Sequence, residues 1–231
     1  MYLFFNANLV ERQIDKKGGA VAFIDDYTVW VTGDSADQNT ETIQHTIVPA
    51  TLAWAAESGA TFEAGKTSLI HFTRNVAKRS GRCLEVDGQQ IRPEKQVKIL
   101  GVILDENLRF HAHVIKAADR GLRAVNTLIR LQGLRPKAVR QLFTTVVAPV
   151  MDYAASIWGA SLTNSDLRLL QRVQRIACKV IVGTFNTVAL QAAEAEAGIS
   201  SIQKRLMLKR LHSWVYGFTR SLWKGILSSP L

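Results

Sequence analysis

Residues 18–32, Gly18-Gly19-Ala20-Val21-Ala22-Phe23-Ile24-Asp25-Asp26-Tyr27-Thr28-Val29-Trp30-Val31-Thr32, decide how the first half of this chain is read. The glycine pair breaks whatever precedes it. Residues 20–24 and 27–32 are then two short runs rich in β-branched and aromatic residues, which favour the pleated surface of a strand. Between them stand Asp25 and Asp26. Aspartate tolerates turn conformations, so the whole reads as a β-hairpin with two carboxylates at its tip. Adjacent anions at a tight turn repel, and a divalent cation between them relieves that repulsion. A plain solvated turn accounts for the same tetrapeptide, and the pair by itself leaves both readings open.

Working outward, the first half alternates strands and helices. Residues 2–10 read as the end of an apolar helix. Ser35 or Asp37 can cap a helix running to about Ser58, with Ile43, Ile47 and Trp54 near one face, and Gly59 ends it. Residues 68–73 read as a strand, residues 84–86 and 90–91 flank an Asp87-Gly88 turn, and residues 98–104 read as a further strand with Gly101 at its middle. From about His111 the periodicity becomes helical over 111–132, 136–158, 163–183, 187–197 and 200–224, with Pro136 in a first turn and Gly183 and Gly198 as stops. The expected division is a mixed α/β part over residues 1–110 and an all-helical part over 111–231.

Charge follows the same division. The 231 residues carry a formal net charge of +10. Residues 1–110 hold 12 Lys and Arg against 14 Asp and Glu, whereas residues 111–231 hold 17 against 5. A near-neutral half joined to a strongly basic one suggests carboxylate chemistry beside a polyanion grip. Arg120, Arg123 and Arg130 share one helix, and Arg168, Arg172, Arg175 and Lys179 recur at steps of four, three and four, forming a continuous stripe. Lys204-Arg205 and Lys209-Arg210 add a third cluster. Stripes of this kind bind phosphates in a salt-dependent manner, and they also serve simply to solubilise a helical bundle.

Several function classes are disfavoured. No run approaches the ~20 apolar residues of a membrane span, and Met1-Tyr2-Leu3-Phe4-Phe5 lacks a basic leader, so the expectation is an intracellular protein of the cytoplasm or nucleus. Cys83 and Cys178 make neither a disulfide framework nor a zinc spacing. The segment from Gly59 to Thr67 has five residues between its glycines where a phosphate loop needs four. The five histidines are scattered, with no triad spacing.

Taken together, ordered blocks resemble the C-terminal half of a reverse transcriptase from a non-LTR (LINE-like) retrotransposon, of the kind found in fungal genomes. Phe23-Ile24-Asp25-Asp26 is similar to that family's aromatic-x-Asp-Asp box, with Phe in place of the more usual Tyr. Gly65-Lys66-Thr67 with Ile70-His71-Phe72 resembles the next block. The stretch from Lys98 to Asp105, with Leu108, Phe110 and His113, resembles the block holding the primer terminus. Tyr153, Trp158, Gln174, Gly183, Thr187 and Glu196-Ala197-Gly198-Ile199 resemble the helical region that follows.

The resemblance implies an α+β fold: part of a polymerase palm, antiparallel strands with helices, followed by an all-helical thumb-like region. It implies RNA-directed DNA polymerase chemistry with two Mg²⁺ (or Mn²⁺) ions, Asp25 and Asp26 as catalytic metal ligands, and Lys66 near the departing pyrophosphate. It further implies Leu100 and Gly101 at the primer, and an RNA template with a DNA primer, or an RNA–DNA hybrid, along the arginine stripes. The family also uses a third carboxylate on an earlier strand and a Gln-Gly-x-Pro loop, neither of which precedes Asp25 here; Glu11 and Asp15 are the acids upstream of it. A truncated, inactive fragment is therefore expected, completed at most by a separate N-terminal part of the polymerase. A non-catalytic basic nucleic-acid-binding protein and a decayed retroelement relic are the alternatives.

Overall fold

The computed structural model describes residues 7–11, 18–131, 133–185 and 187–227, the last eleven as helix backbone only. Residues 1–6 and Asp15, on which part of the sequence reading rested, lie outside the described residues. The chain divides into two compact units, Met1–Leu108 and Arg109–Leu231.

The first unit is α+β. After α1 (Ala7–Glu11), strands β1 (Gly18–Phe23) and β2 (Asp26–Val31) pair antiparallel. The helix that follows is capped by Ser35, whose side chain accepts from the Gln38 amide. It runs through α2 (Ala36–Thr42), a π turn (Ile43–Ile47) and α3 (Val48–Ser58), and stops at Gly59 in the left-handed region, φ 67°. Two further hairpins follow, β3 (Leu84–Val86) with β4 (Gln89–Ile91), and β5 (Gln96–Ile99) with β6 (Val102–Asp105). Among the described residues each sheet has two strands.

Among the described residues, two apolar clusters pack this unit. Leu9, Trp54 and Ala55 pack with Tyr27, Ala60 and Phe62, and Ala64, Leu69, Leu84, Val86 and Ile91 pack with Ile43 and Val48. The first cluster anchors the β1–β2 hairpin, because Tyr27 and Trp54 both meet the Phe62 ring at 6.1 Å between centroids.

Two strand expectations need correction. Residues 98–104 are not one strand. Leu100 and Gly101 both have positive φ, 45° and 84°, so the chain reverses there and Ile99 pairs with Val102. Positive φ at both central residues is the sign pattern of a type I′ turn, whose twist suits a hairpin. Residues 68–73 form no ladder either. A single parallel bridge joins Leu69 to Pro93, and the Glu94 amide donates to the Leu69 carbonyl at 2.7 Å. Pro93 has no amide hydrogen to extend the pairing.

The second unit is helical: α4 (His111–Arg130), α5 (Pro136–Leu142), a π turn (Phe143–Val147), α6 (Ala148–Met151), α7 (Ala155–Trp158), α8 (Asn164–Val182), α9 (Leu190–Ala197) and α10 (Ile202–Leu227). Its core contains Val114, Val125, Phe143, Val147, Met151, Trp158, Leu170 and Ile202. Gly121 lets α4 approach closely: a Cβ there would stand 3.2 Å from Val173 and 3.3 Å from the Met151 sulfur. Thr163 and Asp166 form a capping box at the start of α8, and Gly183 and Gly198 end α8 and α9 at positive φ.

The helix expected over 136–158 is interrupted. Ala154 adopts φ 54°, and the chain turns at Asp152–Ala154 before resuming as α7. Among the described residues both π turns precede a proline by two residues, Pro49 and Pro149. A proline inside a helix removes one backbone bond and crowds the carbonyl four residues back, and a π bulge widens the turn where that crowding falls.

Candidate functional site

The acidic turn is built from the core outward. Tyr27 is drawn into the cluster of Trp54 and Phe62, which orients β2, and the register then fixes its neighbours. Phe23 pairs with Asp26, Val21 with Thr28 and Gly19 with Trp30, so these side chains share the face opposite Tyr27. On that face Val21, Phe23 and Trp30 are roughly half exposed, and Trp30 lies across Gly19, where a Cβ would stand 2.4 Å from its ring. Asp25 occupies the turn itself and Asp26 opens β2; both are exposed. Ile24, just before them, has φ 58°. A β-branched residue in the left-handed region is an outlier, and such conformations concentrate at functional sites.

Lys66 ends a short 3₁₀ turn (Ala64–Lys66) in the same unit. It pairs with the exposed Glu63, and that contact holds its ammonium above the usual lysine range. Asp25 adds a smaller push in the same direction, which sets Lys66 within electrostatic reach of the acidic turn. Leu100 and Gly101, read as part of a strand, form the tip of the β5–β6 hairpin instead, with Leu100 39% exposed.

Carboxylate oxygens are the donors that Mg²⁺ and Mn²⁺ prefer. The donor type therefore fits a phosphoryl-transfer metal, but the number does not. Among the described residues no group of three or more Asp, Glu, His or Cys could hold an ion. Asp25 and Asp26 can contribute to such a centre without completing one.

In the second unit the stripe residues named from the sequence fall on two helices. On α4, Arg120, Arg123 and Arg130 span an arc of about 80° at 3.6 residues per turn, away from the buried Val114, Gly121, Val125 and Leu128. On α8, Arg168, Arg172 and Arg175 line an open groove of about 580 Å³ together with residues of α9 and α10. Lys179 continues the α8 stripe but is not part of the groove wall, and none of the α4 arginines belongs to it. The groove wall also carries Gln171, Gln191 and Gln203, which sequence reasoning did not single out. Amides scattered over three helices give no periodic signal.

A buried polar chain supports this groove. Arg205 of α10 donates to both oxygens of Asp152, at 2.9 and 3.2 Å, and also to Gln174 Oε1 and the Ser200 carbonyl. Gln174 in turn donates to Glu194 of α9. Asp152, Gln174 and Glu194 are all buried. The clue in the sequence was Gln174 standing on the apolar face of α8, where a polar residue demands partners. A second missed contact joins His111 to the buried Asp166. Burial works to raise that carboxyl, yet the Thr163 hydrogen bonds and His111 hold it below the usual carboxylate range.

Comparison with known proteins bears on both units. The chain is 26% identical over 183 residues, 77% of its length, to a retrovirus-related Pol polyprotein from type-1 retrotransposable element R1 of Bradysia coprophila. It is 24% identical over 181 residues, 71% of its length, to a putative 115 kDa protein in type-1 retrotransposable element R1DM of Drosophila melanogaster. The chain is thus a relative of non-LTR retrotransposon proteins, the likeness first read from its motifs. One such relative, 24% identical over 72% of the chain, is the RNA-directed DNA polymerase from mobile element jockey of Drosophila funebris. The chain spans 18% of the length of each of these relatives. No family model matches it, and no solved structure matches it. Among the described residues no helix is long and apolar enough to cross a membrane.

Proposed function

We propose that this chain is part of an RNA-directed DNA polymerase of a non-LTR retrotransposon, containing the end of the palm and the thumb-like helices. The observation that carries the reading is the core-anchored β1–β2 hairpin, which exposes Asp25 and Asp26 at its turn in a chain related to such polymerases. Asp25 and Asp26 are the metal-binding carboxylates, and the ions, when bound, stabilise charge on the oxygens of the transferring phosphoryl group. Lys66 meets negative charge departing from that turn, and the Leu100-Gly101 tip bears on the primer end. The basic helices grip an RNA–DNA hybrid by its phosphates, through Arg120, Arg123 and Arg130 on one helix and Arg168, Arg172, Arg175 and Lys179 on another.

The chain alone is inactive on this reading. Its two carboxylates are too few to hold two ions in register, and misplacement of about 1 Å already costs ~10²-fold. Titration of the purified chain with Mn²⁺, followed by paramagnetic broadening in NMR spectra, tests the metal assignment. Broadening is expected around Asp25 and Asp26 and is lost in Asp25→Asn. Broadening elsewhere, or none, removes the catalytic reading and leaves a basic nucleic-acid-binding protein. Mg²⁺-dependent primer extension by the isolated chain that vanishes in Asp25→Asn overturns the inactivity.

A further inference from the structure

The groove between α8, the start of α9 and the start of α10 holds a second chemistry besides charge. Its wall carries three guanidinium groups, Arg168, Arg172 and Arg175, and three primary amides, Gln171, Gln191 and Gln203. Arg168 and Arg172 are exposed, whereas Arg175 is braced by donating to the Val188 carbonyl at 2.7 Å. Glu194 also lines the groove, but it is buried and accepts from Gln174. The accessible wall therefore combines cations on α8 with primary amides on all three helices. Guanidinium forks match phosphate oxygens. A primary amide offers donors and an acceptor together, which a hydroxyl group can answer in both senses. Phosphate and hydroxyl alternate along one polymer edge, the wide minor groove of an A-form duplex, where the 2′-hydroxyls of the RNA strand are displayed.

We propose that this groove holds the RNA strand of an A-form duplex, with Arg168 and Arg172 on phosphate oxygens and Gln171, Gln191 and Gln203 on ribose 2′-hydroxyls. The inference rests on the nucleic-acid-binding reading above and adds to it that the second unit distinguishes RNA from DNA. Phosphate contacts position a protein on either polymer, but the 2′-hydroxyl tells one from the other. The buried Asp152–Arg205–Gln174–Glu194 chain ties α8, α9 and α10 together and so fixes the spacing of the three amides.

The test uses the full chain and two labelled hybrids, measured by fluorescence anisotropy. One is an RNA–DNA hybrid; the other carries 2′-fluoro-RNA in place of RNA, which keeps the A-form shape and removes the hydroxyl donor. The fluoro hybrid is expected to bind about fivefold more weakly for each hydrogen bond lost, the factor that about 1 kcal/mol represents. In the triple variant Gln171→Ala, Gln191→Ala, Gln203→Ala the two hybrids bind alike, and circular dichroism confirms that its helices are retained. In Arg168→Gln, Arg172→Gln both hybrids weaken equally. Equal binding of the two hybrids by the wild type, or a fluoro penalty that persists in the triple variant, overturns the assignment while nucleic-acid binding stands. Failure to bind either hybrid at low salt overturns the nucleic-acid reading as well.

Discussion

Arg205 forks onto Asp152 with two hydrogen bonds of 2.9 and 3.2 Å, in a site where Asp152 is 1% exposed. The guanidinium also lies 5.7 Å from the centre of the Phe143 ring. The pair joins α10 to the turn that interrupts the helix after Met151. It thereby links the C-terminal helix to the remainder of the second unit. A buried bidentate pair costs desolvation to form, but removing one partner leaves the other charge uncompensated.

Asp152→Ala and Arg205→Ala should each destabilise the second unit by about 3–5 kcal/mol. Urea unfolding followed by circular dichroism measures this, with the Asp152→Ala, Arg205→Ala double variant losing less than the sum of the two. Additive losses would mean that the two side chains are not coupled.

Ala154 is held at φ 54°. An L-residue in the left-handed region costs roughly 1–2 kcal/mol, a penalty glycine lacks. Ala154→Gly should therefore raise the melting temperature, and no rise would show the turn to be relaxed.

Gly121 has no room for a branched side chain, with Val173 and Met151 both within 3.4 Å of an added Cβ. Gly121→Val should cost about 1–3 kcal/mol by forcing α4 from α8. The same substitution at Gly133, which faces open space at φ 77°, would act through backbone strain alone. A thermal-shift comparison of Gly121→Val with the wild type checks the packing claim.

Stability should fall as the solution is acidified from pH 7 toward 5. Burial pushes both His71 and His113 below the ordinary histidine value, and Arg120 and Lys116 push His113 further, against the hydrogen bond that its ring donates to the Tyr153 backbone. The unfolded chain then binds protons first, near pH 6.5, so each group stabilises the fold above that pH and opposes it below. His113→Gln should flatten the dependence of unfolding free energy on pH in this window. A slope identical to that of the wild type would show that His113 does not titrate with folding.

Hybrid binding should weaken steeply with salt, because each neutralised phosphate contributes a slope of about −0.9 in log K against log salt on B-DNA. Arg172→Gln should reduce that slope by about 1. A salt-independent affinity would argue against phosphate contact.

Much of the fold was legible in local chemistry. Ser35 before a helical run, Asp87-Gly88 between apolar pairs, and Gly59, Gly183 and Gly198 after helices all act over a few residues, so their signals lie within a few positions of one another. The acidic turn was legible for the same reason. The hairpin at Leu100-Gly101 was not, because its apolar residues run through the turn, and only the positive φ at both positions shows the reversal. The break at Ala154 was hidden likewise: alanine is a strong helix former, and it is the buried Asp152–Arg205 pair that marks this turn in the fold.

By itself the sequence determined the division into an α+β part and a basic helical part, the two carboxylates at a turn, and the arginine periodicity on α8. Each of these follows from patterns with periods of two or 3.6 residues, which neighbouring positions carry. Tertiary structure alone decided which polar groups share a space: Gln171 with Gln191 and Gln203 around one groove, and Asp152 with Arg205, Gln174 and Glu194 beneath it. Contacts between residues tens of positions apart depend on how helices pack, and packing is set by the summed burial of many side chains rather than by any local pattern.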